Sequence, residues 1–309
     1  MPLKIATATY GVNRALKDGT VKTKLDLEFV DVGAITTNGM RPMVRELAFD
    51  ICEMAFTTYL CARAAGKPLT AIPVFVTRNF HHWAAFVHAG SGIKSPKDLE
   101  GRRVGVNRGY TVTTGLWNRG VLQHEYGVDL GKITWCPTDE EHVREFKAPG
   151  NVDHRYVGRS AAELLKSGEF AAAVGDIRVD SPDVRPLIPN AREAAFAWYR
   201  KTGIYPVNHG IVVKNSVLAE RPEVAVELFN GFVAAKELYR KELAAGRAHG
   251  EDDEAALANA AVVGDPFPDG LAPNRKAIEA INAFAVEQHM LAKAYTPEEL
   301  FAPSTHRLG

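Results

Sequence analysis

The chain of 309 residues has no excess charge of either sign, few cysteines and no long apolar run. Lys plus Arg is 37 and Asp plus Glu is 37. That balance argues against nucleic acid or an anionic membrane as the main partner. No apolar stretch approaches the ~18 residues that cross a bilayer. The three cysteines, Cys52, Cys61 and Cys136, have no CxxC spacing and sit among apolar residues. They read as small, buried, reduced thiols rather than a disulfide framework. The N-terminus "MPLKIATATYG" has neither a basic n-region nor an apolar h-region, so the expected location is cytoplasmic. GxSxG, GxGxxG, GK[ST], HExxH and HxH are all absent. These absences argue against hydrolase elbows, dinucleotide folds, phosphate loops and common metal sites, so no cofactor and no metal are expected.

What is present alternates. "LKIATATYG", "LDLEFVDVG", "DICEM" and "LTAIPVFVTR" read as strands, separated by helical "NRALKDG", "MRPMVRELAFD" and "AFTTYLCARAAG". A second series holds "HHWAAFVHAG" as an extended segment, then "RRVGVN", "KITWCP" and "EFAAAVGD". Within it Ser95 and Pro96 form a helix start, and "RGYTVTTGLWNRGVLQHEYG" opens a helix. "TGIYPVNHGIVV" (202–213) is strand-like. In 221–246 the residues Val224, Leu228, Phe232, Ala235, Tyr239 and Leu243 step by three or four, giving one apolar helical stripe. "GRAHGEDDEAALANA" reads as a mobile connection. The alternation predicts α/β architecture in two lobes, with ligands at the carboxyl ends of strands.

The chemistry-bearing residues gather near those ends. His209, preceded by Asn208, interrupts an apolar strand; it is either a general acid or base, or a structural histidine within the strand. His81 and His82 are adjacent, and on extended backbone they face opposite sides. Arg78 closes "AIPVFVTR" as a candidate carboxylate clamp, with Arg14 a weaker anchor. Tyr10 follows the first strand. Glu53, with Thr57 and Thr58, stands where a strand meets a helix. It suits a bond to a phenol or a histidine, or a capping role. Asn107, Tyr110, Thr111, Thr113 and Thr114 follow a strand and open a helix, the setting of an anion site or of ordinary capping. Asp176 and Arg178 end another strand. Tyr205 and Trp117 are candidates to stack on an aromatic ring, or core residues.

"SGIKSPKDLEGRRVGVNRGYTVTTGLWNRGVL" resembles type II periplasmic-binding-protein-like folds. With "FDICEMAFTTYL", "AIPVFVTRNFHHW", "WYRKTGIYPVNHGIVV", "GDPFPDGLAPNR" and "EQHML", the chain is most similar to the 4,5-dihydroxyphthalate decarboxylase family. The resemblance implies two lobes, 1–80 with 207–309 and 81–206, joined by two crossover segments around a cleft. It puts His82 and His209 at the cleft floor as proton-transfer residues, and lets Arg78, His81, Glu53, Thr57, Arg14, Tyr10, Asn107, Tyr110, Thr111, Asn208 and Tyr205 meet the substrate. Three motifs depart from the family pattern. Gly11 and Val12 replace Asp-Arg in the first loop, His81-His82 replaces Arg-His, and Asn208-His209-Gly210 replaces Met-His-Thr. Two carboxylate-binding arginines are thus missing, which implies fewer substrate carboxylates than a phthalate or a different binding mode. The implied activity is cofactor-independent decarboxylation of a hydroxylated aromatic acid, 4,5-dihydroxyphthalate or a related hydroxybenzoate, with a small aromatic carboxylate as partner and self-association left open. The alternative is a solute-binding protein for an aromatic or small organic anion that feeds an ABC transporter.

Overall fold

The computed structural model describes residues 1–247 and 250–309, with Glu251 described in its backbone only. Among these residues the strands are, in chain order, β1 (Leu3–Ala6), β2 (Leu27–Phe29), β3 (Ile51–Ala55), β4 (Leu69–Arg78), β5 (Ala85–His88), β6 (Arg103–Val106), β7 (Thr134–Pro137), β8 (Ala172–Val174), β9 (Val184–Pro186) and β10 (Val207–Lys214). They form two five-stranded sheets, ordered β2-β1-β3-β10-β4 and β7-β6-β8-β5-β9. Each sheet is mixed. β1 runs parallel to β2 and β3, whereas β10 runs antiparallel to β3 and β4. β6 runs parallel to β7 and β8, whereas β5 runs antiparallel to β8 and β9. The α/β class expected from the alternation is the one that forms.

The chain divides into two compact units. The first holds Met1–Arg78, Val207–Glu279 and Tyr295–Gly309; the second holds Asn79–Pro206 and Ala280–Ala294. This differs from the division drawn on the sequence, which leaves all of 207–309 in the first lobe. Ala280–Ala294 joins the second unit because its side chains pack there. The Phe284 ring meets the Trp117 ring edge-on at 5.6 Å, and Gln288 Oε1 accepts from Arg119 Nε at 2.8 Å.

The first unit is built on one apolar sheet face. Leu3 and Ile5 of β1, Ile51 of β3, and Ile211 and Val213 of β10 share a core with Val12 and Leu16 of the helix Gly11–Lys17. The helix Val224–Ala244 closes the same core. Its six stripe residues, Val224 to Leu243, are all buried, as the spacing predicts. Each large apolar side chain so buried contributes roughly 1.5–3 kcal/mol. Lys236 on this helix is also buried. Its ammonium donates to the Phe75 carbonyl at 2.8 Å and pairs with Asp269, which offsets the cost of taking the charge out of water.

Three local expectations change. The segment Thr202–Pro206 is not strand: the helix Ala191–Thr202 runs into it and stops at Gly203, whose φ of 68° is left-handed. Pro206 has no N–H for a sheet ladder, and β10 begins after it, at Val207. The segment 79–84 is a turn rather than extended, with the Ala84 N–H on the His81 carbonyl at 3.1 Å. In the expected connection after residue 246, Ala248 and His249 lie outside the described residues, and Glu251–Val263 is a helix.

Gly11 explains one departure from the family pattern. A Cβ there would overlap the Tyr239 ring. Gly11→Ala is expected to destabilise the fold by about 1–3 kcal/mol in urea unfolding, and Tyr239→Leu in the same chain is expected to recover part of that loss. Equal stability of Gly11→Ala and wild type would show that the ring yields freely.

Candidate active site

The apolar face of the first sheet turns polar at one end. On β1 the inward series Leu3, Ile5 continues to Thr7; on β3 Ile51 is followed by Glu53; on β10 Val213 and Ile211 are followed by His209. Glu53 lies opposite Ile211 and His209 lies opposite Ala55, so Glu53 and His209 are diagonal neighbours on one face. Against β4 the register of β10 slips between Val207 and Ile211, a bulged stretch of the kind that re-aims a side chain.

Glu53 has no exposed surface, yet it accepts four hydrogen bonds. Oε1 takes the Tyr10 hydroxyl at 2.7 Å and His209 Nδ1 at 2.7 Å. Oε2 takes the Thr7 hydroxyl at 2.9 Å and the Ala8 N–H at 2.9 Å. An ionised carboxylate offers about four acceptor positions, so Glu53 is saturated. Its partners include the side chains of His209 and Tyr10, both on Oε1. A second layer holds the loop after β1. Buried Asn13 donates Nδ2 to the Ala8 carbonyl at 2.9 Å and to Thr7 Oγ1 at 3.1 Å, and its Oδ1 accepts the Tyr10 N–H at 2.8 Å. Lys17 donates to the Thr7 carbonyl at 2.8 Å.

Burial pushes the Glu53 carboxyl up, but the hydrogen bond and charge of His209, the Tyr10 hydroxyl and the Ala8 N–H outweigh it. The net result lies below the usual carboxylate range. Burial first, and then the Glu53 charge, push the Tyr10 hydroxyl far above its ordinary value, so it stays a donor. An ionised Glu53 can only accept, so His209 Nδ1 carries a hydrogen. The neutral ring therefore has its lone pair at Nε2. His209 retains 17% side-chain exposure, against none for Glu53.

The other predicted site residues supply none of the four hydrogen bonds to Glu53. Within the first unit, Arg78 donates to Asn274 Oδ1, and Arg14 pairs with Glu242 at 2.7 Å on the exposed surface. Thr57 is buried in the first turn of the helix Phe56–Ala64, as is Thr58. Asn208 Oδ1 is buried without a hydrogen-bond partner among the described residues. The remainder belong to the second unit. His82 is buried, neither ring nitrogen has a hydrogen-bond partner among the described residues, and its ring stands edge-on to Trp198 at 5.5 Å. Burial drives its pKa down to about 4. The turn at 79–84 buries His81 as well, although extended backbone would send the two rings to opposite sides. Tyr205 and Trp117 pack in the core, against Phe80 at 5.1 Å and Phe284 at 5.6 Å, rather than standing free to stack on a ligand. Asn107 Nδ2 donates to the Asp176 carbonyl at 2.5 Å, and Tyr110 and Thr111 bind Glu141. Thr7, Asn13 and Lys17 escaped the sequence reading. The available signal was Asn13 three residues after the Tyr10 helix cap.

Two mixed five-stranded sheets in this order make the molecule a type II periplasmic-binding-protein-like fold. Solved structures agree. A desulfurization enzyme, DSZB, superposes with a TM-score of 0.57 at 13% identity, covering 99% of this chain and 97% of the other. The periplasmic aliphatic sulphonate binding protein SsuA of Escherichia coli gives 0.54 at 12%, covering 97% and 91%. The family model described as NMT1/THI5 like matches residues 25–183, and the chain belongs to that family. Its curated relatives include a 4,5-dihydroxyphthalate decarboxylase of Comamonas testosteroni, 29% identical over 99% of this chain and 97% of the relative. Another, of Pseudomonas putida, is 32% identical over 64% of this chain and 81% of the relative. The resemblance read from the sequence is thereby borne out.

Glu53 and His82 both contribute to the response of stability to acid. Glu53 is depressed in the fold, so its contribution is present above its unfolded value and lost as pH falls through the folded one. His82 drops from 6.5 to about 4 because burial disfavours its charged form. The unfolded chain therefore takes up that proton first, and stability falls between those two values by about 3 kcal/mol. Urea unfolding at about pH 7 and about pH 4 is expected to show this loss in wild type and a smaller one in His82→Leu. The same loss in both proteins would mean that the ring is protonated without cost in the fold.

Proposed function

We propose that the protein is a cofactor-independent decarboxylase of a hydroxylated aromatic acid, 4,5-dihydroxyphthalate or a related hydroxybenzoate, with His209 as its proton-transfer residue. The observation that carries this reading is the bond from His209 Nδ1 to a buried, saturated Glu53. A ligand-gripping strand has no need of such a pair, whereas a proton shuttle does. The carboxylate fixes the tautomer and stabilises the imidazolium that forms when Nε2 takes a proton. The names of the two curated relatives support the substrate class.

The reaction balances with one proton. His209 Nε2 accepts the proton of a phenol ortho or para to the carboxylate. The electron density released into the ring lets the carbon that bears the carboxylate take a proton from the imidazolium. The bond to the carboxylate carbon then breaks, its electron pair returns to the ring, carbon dioxide leaves, and the phenolate that remains takes the one proton the reaction consumes from solvent. Glu53 keeps its charge throughout, and Tyr10 holds it in place. His82, kept neutral near pH 7 by its burial, is a poor proton donor there.

Purified protein is expected to release carbon dioxide from 4,5-dihydroxyphthalate or a dihydroxybenzoate, followed by gas evolution and ultraviolet absorbance. His209→Ala is expected to lower kcat by roughly 10²–10⁴-fold. Glu53→Gln is expected to lower kcat more than it raises KM, since it alters the tautomer and not the ligand contacts. Binding of each acid without turnover would overturn the catalytic reading in favour of a receptor.

A further inference from the structure

In the second unit, the loop from β6 into the helix Thr113–Tyr126 presents backbone N–H groups that no helical carbonyl can satisfy. A side chain of the same chain occupies them. Tyr110 N–H donates to Glu141 Oε1 at 2.5 Å. Thr111 N–H and the Thr111 hydroxyl donate to Glu141 Oε2 at 3.1 and 2.5 Å. A Cβ on Gly109 would stand 2.7 Å from Oε2, so glycine is what lets a carboxylate reach this backbone.

A separate feature lies against the same loop. Arg119 is fully buried, with Nη2 on the Tyr110 carbonyl at 2.8 Å and its guanidinium carbon 4.2 Å from the Tyr110 ring centre. Nη1 has no hydrogen-bond partner among the described residues. It would lie 3.1 Å from a Cβ on Gly115, in the first turn of the helix. Among the described residues Arg119 has no ion-pair partner, and Glu141 is the carboxylate whose charge acts on it. A buried guanidinium left in this state is costly, and it adds positive potential where the loop meets an anion.

We propose that Glu141 is an internal competitor: its carboxylate holds a subsite that takes the carboxylate of an organic acid, and a ligand binds there by displacing it. Glu141 belongs to 138–151, which contains no helix or strand, so it can leave without breaking a regular element. The exchange replaces one carboxylate by another on the same donors. It holds for a receptor as well as for a decarboxylase, and does not rest on the reaction proposed above.

Benzoate is the probe, with chloride as the control for ionic strength. Calorimetric titration compares wild type with Glu141→Gln and Glu141→Ala. If Glu141 fills the subsite about nine-tenths of the time, its removal tightens benzoate by about tenfold. Adding Gly109→Ala to Glu141→Ala is expected to abolish the gain, because the new methyl group stands only 2.7 Å from the position Oε2 held, too close for a carboxylate oxygen to occupy it. In wild type, saturating benzoate is expected to speed amide hydrogen exchange across 138–151, and chloride is not. An unchanged Kd in both Glu141 variants, a gain that survives Gly109→Ala, or unaltered exchange in wild type would each overturn the proposal.

Discussion

A carboxylate with no exposed surface persists only while donors surround it, and the first unit is arranged around that condition. Glu53 meets two side-chain hydroxyls, one backbone N–H and one imidazole. Each donor comes from the chain path that the sheet dictates. The parallel pairing of β1 with β3 carries Thr7 and Ala8 to Oε2, and the antiparallel return of β10 carries His209 to Oε1. Asn13 ties the intervening loop, so that Tyr10 completes the set. Loss of any one donor leaves a buried charge short of a partner, a penalty of about 1–3 kcal/mol or more. The histidine is therefore oriented by the same contacts that make the fold tolerate its partner.

The second unit handles a carboxylate in another way. Glu141 is held by backbone N–H groups and one hydroxyl at the start of a helix, and its segment lacks regular structure. Glu53 is locked into a strand whose five residues are all buried. One acid is thus part of the scaffold, and the other is bound much as an external anion is bound. The contrast follows from the donors. The donors to Glu53 come from β10, the end of β1 and the helix cap after it, and cannot release their acceptor without repacking, whereas backbone donors in the loop before a helix can exchange it.

The legible parts of the sequence were those with a period or an interruption. The stripe from Val224 to Leu243 marks a buried helix face, His209 is an ionisable residue in an apolar run, and Glu53 stands where a strand meets a helix. The illegible parts depended on contacts distant in sequence. Nothing in "DEEHVREF" marks Glu141 as the partner of residues some thirty positions earlier. The pair His81-His82 looked extended because strands flank it, but a turn buries both rings. Tyr205 looked available for stacking, yet aromatic neighbours close over it. The strand reading began too early, at Thr202, because local pattern does not reveal that a preceding helix runs on to a left-handed glycine.

The contact between Gly11 and Tyr239 has a meaning for descent. A side chain at position 11 and an aromatic ring at position 239 compete for one volume. The two positions therefore constrain each other: a side chain at 11 requires the ring at 239 to move or to be smaller. Among homologues the pair should behave as one inherited character.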